Sequence, residues 1–187
     1  GGGHNLSHFA ADHDVVAVDL SERMIEHAQA LNPSVKFLIG DMRSVRLGEK
    51  FDAVLIHDAI SYMLTESDLR ATLDTVADHL KQGGVAIFAP DHFKETFATR
   101  PHIFPSSRAI ESTRVTSVEY HYDLDPNDTA TECVMMFLIH NPDELRIEFD
   151  HHILGLFPLD TWITLMSAAG FTPEVRSYRL GPEGADY

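Results

Sequence analysis

Val15-Val16-Ala17-Val18-Asp19-Leu20-Ser21-Glu22-Arg23-Met24-Ile25 is the stretch on which the fold turns. Its first four residues form a β-branched apolar run, as expected of a strand covered on both faces. The run closes on an acid, Asp19, and Ser21 follows where a helix N-cap belongs. Met24, Ile25, Ala28 and Leu31 then recur at helical spacing until Asn32-Pro33 ends the helix. Strand, acidic strand end and capped helix together make one unit of an α/β fold.

The unit repeats outward from there. Before it, Gly1-Gly2-Gly3 precedes a helical pattern over residues 4–11, with Leu6, Phe9 and Ala10 on one face. After it, Val35 to Ile39 reads as a strand closed by Gly40-Asp41, and Phe51 to Ile56 as another closed by His57-Asp58. Leu69, Leu73, Val76, Ala77 and Leu80 form a helical stripe that Lys81-Gln82-Gly83-Gly84 stops, and Val85 to Ala89 is a strand ending at Pro90-Asp91. This is Rossmann-like winding, a parallel sheet with helices on both faces. From residue 91 the pattern changes. Val115 to Tyr122, Thr131 to Ile139 and Arg146 to Phe157 are long β-type runs, the first two joined by the turn-rich segment 123–128. They read as an antiparallel insertion, in which the strand containing Val134 to Ile139 is expected to be central and covered. Pro158 opens a helix carrying Leu159, Trp162, Ile163, Met166 and Ala169, with Gly170 at its C′ position, and Pro173 to Leu180 reads as a last strand.

The chain has 187 residues, 44% hydrophobic and 23% charged, with 14 Lys+Arg against 29 Asp+Glu and a formal net charge of −15. That length suits one domain: residues 1–91 as a ligand-binding core, 92–157 as the insertion or lid, and 158–187 as the last helix and edge strand. No apolar run reaches the roughly 20 residues that cross a bilayer, so no membrane partner is expected. So acidic a surface repels phosphate backbones and argues against nucleic acid. Cys133 stands alone, which leaves no disulfide framework or cysteine zinc site and makes a cytoplasmic setting the default.

In wound α/β sheets ligands bind at the carboxyl ends of the strands, so the residues that close each strand carry the function. Glycines before a helix let a ligand approach backbone N–H groups. Asp19 can accept two hydrogen bonds from ribose hydroxyls, a role that also suits a nicotinamide dinucleotide. Gly40-Asp41-Met42 separates the two ligands: a carboxylate there can take the exocyclic amine of adenine while Met42 packs on the ring.

Gly-Gly-Gly-His, Val-Asp-Leu-Ser, Gly-Asp-Met-Arg, Phe-Asp-Ala-Val-Leu-Ile-His-Asp and Leu-Lys-Gln-Gly-Gly-Val, in that order, resemble the motifs of class I S-adenosylmethionine-dependent methyltransferases. The match covers residues 1–91, and the helix and strand near 158–180 resemble the family's last helix and sixth strand. The resemblance implies a seven-stranded sheet with S-adenosylmethionine across its strand ends. On it, Gly1, Gly2 and Gly3 belong to the glycine loop near the methionine moiety, Asp19 to the ribose, Leu20 and Met24 to the adenosine, and Asp41, Met42 and Arg43 to the adenine side. His57 and Asp58 follow the strand that commonly contacts cofactor or substrate. The family's first strand and its acidic residue are expected upstream of Gly1, and its seventh strand after Tyr187.

A sulfonium already activates the methyl group, so the protein's tasks are positioning and removing the nucleophile's proton. His57, Tyr62 and His92 are the candidate catalytic residues at the rim, with Asp58 beside them. The insertion is expected to shape the pocket of a small-molecule acceptor, methylated at oxygen or nitrogen. No metal is expected: His4 and His8 have ligand spacing on a helix but lack a third partner, and His151-His152 on a strand point to opposite faces. His27 and His79 are expected to be solvated. Val118, Tyr120 and Tyr122 alternate along one face, which suits packing on the main sheet, a homodimer contact or an aromatic wall over the acceptor. Two rival readings are a nicotinamide-dependent oxidoreductase, against which Asp41 counts, and a non-catalytic methyltransferase-like binding module.

Overall fold

Ser21 takes an extended backbone, and its hydroxyl accepts the Met24 N–H at 3.3 Å, so helix α1 (Glu22–Leu31) begins where the cap places it. The computed structural model describes residues 1–97 and 102–176. Strand β1 (Val16–Asp19) precedes α1 and pairs in parallel with β2 (Lys36–Ile39), Asp19 standing opposite Ile39. Strands β3 (Phe51–His57) and β4 (Leu80–Ala89) repeat the arrangement around helix α2 (Glu66–His79), with His57 opposite Ala89. Among the described residues each parallel pair is hydrogen-bonded within itself and not to the other.

The insertion is a four-stranded antiparallel sheet in the order β5 (His102–Ile110), β6 (Thr113–Tyr122), β7 (Ala130–His140), β8 (Leu145–Gly155). Helix α3 (Leu159–Ala168) follows. Its first turn is capped from a distance, the Glu95 carboxylate accepting the Leu159 N–H at 3.0 Å. Gly170, at φ +92°, ends it as expected. The core lies where α2, α3 and the segment after β3 meet: Ile60, Met63, Leu69, Leu73, Phe157, Trp162 and Leu165 are buried together, with Met42, Phe88 and Phe93 against them. Gly155 is essential to this seam, because a Cβ there would stand 2.0 Å from the Met63 carbonyl oxygen.

The structure departs from the sequence pattern in several places. Residues 4–11 form only a short 3₁₀ turn, Leu6–His8, which buries no residue and so lacks the packing that extends a helix. Strand β4 starts at Leu80: Phe51 pairs with Leu80 and Ala53 with Val85, so residues 81–84 loop out between two parts of one strand. Strand β5 has no apolar alternation to announce it, and its Pro105 is tolerated because β5 is an edge. β1 is half-buried rather than covered on both faces, and β7 is central but only half-buried. His79 is buried, not solvated: its Nε2 accepts the Leu47 N–H at 2.9 Å. Residues 173–176 form no strand, and the rest of that expected strand, 177–180, lies outside the described residues.

Candidate active site

Four strand ends carry the site. At β1, the Asp19 carboxylate accepts the Ser21 N–H, whose bond to Oδ1 is 2.8 Å. Burial works against the Asp19 carboxylate, and the backbone N–H groups of Ser21 and Leu20 favour its charged form. Gly3 sits at φ +81°, where a Cβ would come within 2.8 Å of the Ala28 Cβ, and Asn32 at the end of α1 donates to the Gly3 carbonyl at 2.9 Å. The space over Gly1 is open, and the Met24 methyl lies 3.9 Å from the Cβ position of Gly2. Leu20 and Met24 are exposed beside this loop. Glycine loop, Asp19, Leu20 and Met24 thus form one neighbourhood.

At the end of β2, Asp41 is gripped by Arg43: Nη2 donates to Oδ2 at 2.6 Å, and the Arg43 N–H donates to Oδ1 at 2.9 Å. Hydrogen bonds from Arg43 hold the Asp41 carboxyl below its usual pKa. The same guanidinium reaches Asp68 on α2 at 2.8 Å, so Arg43 braces Asp41 against a helix and its side chain is occupied by carboxylates. Met42 packs against the core.

Asp58 follows β3 at φ +31°, a strained conformation for a residue with a Cβ, and its carboxylate lies 2.7 Å from His57 Nδ1. Asp91 follows β4; burial, then the charge of Asp58, push its pKa up to about 6. Tyr62, 49% exposed in the turn after Asp58, lies with its hydroxyl 2.8 Å from Nδ1 of His152 on β8. Nε2 of His152 faces Asp150 Oδ2 at 3.3 Å. Deeper in, His92 packs on Phe97 at 5.2 Å and His121 at 5.7 Å between ring centroids. Burial, with His121 and His102 nearby, lowers the pKa of His92 to about 4, so it is a neutral imidazole at neutral pH. His121, 7% exposed, lies 3.4 Å from the Cys133 thiol.

Of the three residues expected at the rim, His57 and Tyr62 lie near Asp58, and His92 follows Asp91 in the chain with its ring against Phe97, His102 and His121. Asp91, His121, Asp150 and His152 join them without having been singled out. The signal for His152 was available, since strand alternation that prevents His151 and His152 from sharing an ion also turns one of them inward: His151 pairs with Glu132 at 2.6 Å, His152 with Tyr62. Among the described residues no group of three His, Cys, Asp or Glu side chains is arranged to hold a metal ion. No described helix is long and apolar enough to cross a membrane.

Comparison with known proteins decides what such a set of strand ends serves. A methyltransferase domain family matches residues 1–84. A dTDP-3-amino-3,4,6-trideoxy-alpha-D-glucopyranose N,N-dimethyltransferase of Streptomyces venezuelae is 31% identical over 187 residues, covering 98% of this chain and 76% of that protein. The chain belongs to the class I S-adenosylmethionine-dependent methyltransferases. A dTDP-4-amino-2,3,4,6-tetradeoxy-D-glucose N,N-dimethyltransferase of Saccharopolyspora spinosa is 32% identical over 180 residues, 93% of this chain and 69% of that one. The crystal structure of Streptomyces venezuelae DesVI superposes with a TM-score of 0.86 at 31% identity, covering 100% of this chain and 78% of the other. The S-adenosylmethionine-bound structure of CalS10, an amino pentose methyltransferase from Micromonospora echinaspora, does so with 0.83 at 25% identity, covering 100% and 77%. This methyltransferase therefore uses S-adenosylmethionine and transfers its methyl group to an oxygen or nitrogen of a small molecule. Membership decides against the oxidoreductase and the non-catalytic module.

Proposed function

We propose that the methyltransferase methylates the amino group of a nucleotide-linked amino sugar. The observation that carries this reading is the carboxylate pair Asp58 and Asp91 at neighbouring strand ends. An amine becomes a cation when it is methylated, whereas a hydroxyl becomes a neutral ether, and only the cation gains from two carboxylates in a half-buried site. The substrates in the names of the Streptomyces and Saccharopolyspora relatives are amino sugars on dTDP.

S-adenosylmethionine, when bound, supplies a methyl group already activated by its sulfonium. The tight Gly3 at φ +81° and two carboxylates on paired strands suit it. Gly1, Gly2 and Gly3 would lie along its methionine part, Asp19 would accept from the ribose, Leu20 and Met24 would flank the adenosine, and Asp41 and Met42 would meet the adenine. Arg43 braces Asp41. His57 orients Asp58, Tyr62 accepts a hydrogen bond from the acceptor amine, and neutral His92 lines the wall beneath the sheet β5–β8, which acts as the lid of a single domain.

A cytoplasmic enzyme without nucleic-acid or membrane partners suits the acidic surface and the unpaired, buried Cys133. A second copy of the chain suits the outer face of the lid, where Ile103 on β5, Tyr120 on β6 and Ile147, Phe149 and Ile153 on β8 are exposed. The function is tested by offering S-adenosylmethionine with a dTDP-3-amino-sugar and, separately, its 3-hydroxy counterpart. One or two methyl groups appear on the amine by mass spectrometry; methylation of the hydroxyl sugar alone, or of neither, overturns the reading.

A further inference from the structure

We propose that Tyr62, His152 and Asp150 form a relay that carries the proton of the acceptor amine from the site to solvent, His152 and Asp150 being positioning residues that act through Tyr62. The proposal rests on the amine-acceptor reading above. Near neutral pH an aliphatic amine carries a proton on the lone pair that must form the new N–C bond. Each methyl transfer to such an ammonium therefore releases one proton, and a covered site must provide it with a way out.

The three side chains are placed for this. Tyr62 stands 49% exposed beside the strand-end carboxylates, the His152 side chain is 21% exposed, and that of Asp150 is 63% exposed. Asp150, the most exposed of the three, is the solvent end of the series. With Nε2 3.3 Å from the Asp150 carboxylate, the N–H of the neutral imidazole belongs on Nε2. Nδ1 is then the acceptor, and the Tyr62 hydroxyl donates to it at 2.8 Å. The phenol oxygen keeps a lone pair for the substrate. As the ammonium proton moves to the Tyr62 oxygen, the Tyr62 proton moves to Nδ1. Imidazolium forms against Asp150, and the Nε2 proton leaves to water. Tyr62 ends as it began and His152 ends as the Nδ1–H tautomer. Exchange with water, which takes the Nδ1 proton and returns one to Nε2, resets the ring before the next turnover, so one proton has crossed and nothing is consumed. The order matches the hydroxyl, imidazole and carboxylate of a hydrolase triad, with the phenol passing a proton instead of attacking.

The surrounding groups support transfer through an intact phenol. Burial, together with the charges of Asp150, Asp91 and Asp58, raises the Tyr62 pKa, so the hydroxyl does not ionise on its own. Cys133, opposite His152 on β7, has its thiol pushed up to about 11 and does not compete for the proton. Tyr62 from the turn after β3, Asp150 from β8 and Cys133 from β7 are the titratable groups that face the imidazole, and a ring-edge contact at 5.8 Å fixes the pair.

His152→Gln separates proton transfer from architecture, because the amide oxygen can accept from Tyr62 but cannot carry a proton onward. With the dTDP-3-amino-sugar as probe and the full chain as enzyme, kcat should fall about a hundredfold below the pKa of the amine. The deficit should shrink toward none above that pKa, where no proton remains to be removed, and KM for S-adenosylmethionine should not change. Asp150→Asn should show the same pH dependence in smaller degree. A deficit equal at every pH, or no deficit, overturns the relay. A second readout needs no turnover: ¹⁵N resonances of the His152 ring in the ligand-free protein should show Nδ1 unprotonated, with its shift changed by Tyr62→Phe. A protonated Nδ1 reverses the bond and also overturns the proposal. If the wild-type chain leaves the amine untouched, the amine-acceptor reading fails, and the ring resonances still decide the direction of the Tyr62–His152 bond.

Discussion

Asp91 and His92, adjacent after β4, are displaced in opposite directions by the same burial. Asp91 titrates near 6 in the folded chain against 3.8 for a free side chain, so folding favours its protonated form. Its cost is absent below about pH 4, develops as the pH rises through 6 and is fully present at neutral pH. His92, near 4 against 6.5, is kept neutral, and its cost appears only as the pH falls below 6.5. Replacing Asp91 by Asn should therefore stabilise the free protein at pH 7 by about 1–2 kcal/mol. The gain should vanish near pH 4 in denaturant titrations and be accompanied by loss of methyl transfer. An expensive carboxylate in a cleft is what a site retains for chemistry rather than for folding. Asp19, Asp41 and His57 could be placed at strand ends from the sequence, because strand period alone locates those ends, and Tyr62 lies in the turn that follows the third. Asp91 was legible only as one more strand-closing residue and His152 only as one of an alternating pair, since what distinguishes them lies in neighbours more than 30 residues away in the chain, Asp58 for one and Tyr62 for the other.

At the scale of elements, the N-terminus of α2 connects the proposed adenine side of the site to the core. Thr65 accepts the Asp68 N–H at 3.1 Å and donates to the Asp68 carboxylate at 2.8 Å; Asp68 holds Arg43, and Arg43 holds Asp41. A helix cap thus sets the orientation of a ligand-facing carboxylate on another element. Arg43→Ala and Asp68→Ala should each weaken binding of S-adenosylhomocysteine several-fold in calorimetry. The double variant should be little worse than Arg43→Ala, the non-additivity expected of one chain of contacts. Additive losses would show that the two residues act separately. The capped helices were legible because Ser21 and Thr65 announce themselves locally. Strand β5 was not, because an edge strand tolerates Pro105 and polar residues and acquires its structure from β6.

At the scale of the molecule, the lid has two unlike faces. The inward one carries His102, Phe104, His121, Cys133 and His152, and the outward one carries Ile103, Tyr120, Ile147 and Phe149, the last 69% exposed. Two such outward faces can pack on each other about a twofold axis, the usual geometry of two sheets in contact. Phe149→Glu together with Ile147→Glu should turn a dimer into a monomer in light scattering while far-ultraviolet circular dichroism stays unchanged; a wild-type monomer would exclude the contact. The alternation of Val118, Tyr120 and Tyr122 could be read as a stripe from sequence, but which way the stripe faced could not, because the inward face of that strand carries Ser117, Glu119 and His121, polar residues that sequence alone assigns to solvent.

Gly155 closes β8 with its backbone against the Met63 carbonyl, one residue beyond Tyr62 and three beyond His152. It works as a fixed spacer. The gap between the lid and the strand ends is measured from a contact in which neither side has a side chain to adjust. A methyl group at this point would lift the whole end of β8 rather than reshape it. If the sheet β5–β8 roofs the acceptor as proposed, changes in acceptor size would be met along the strands, at positions such as His102 and Phe104, while the height of the roof stays constant.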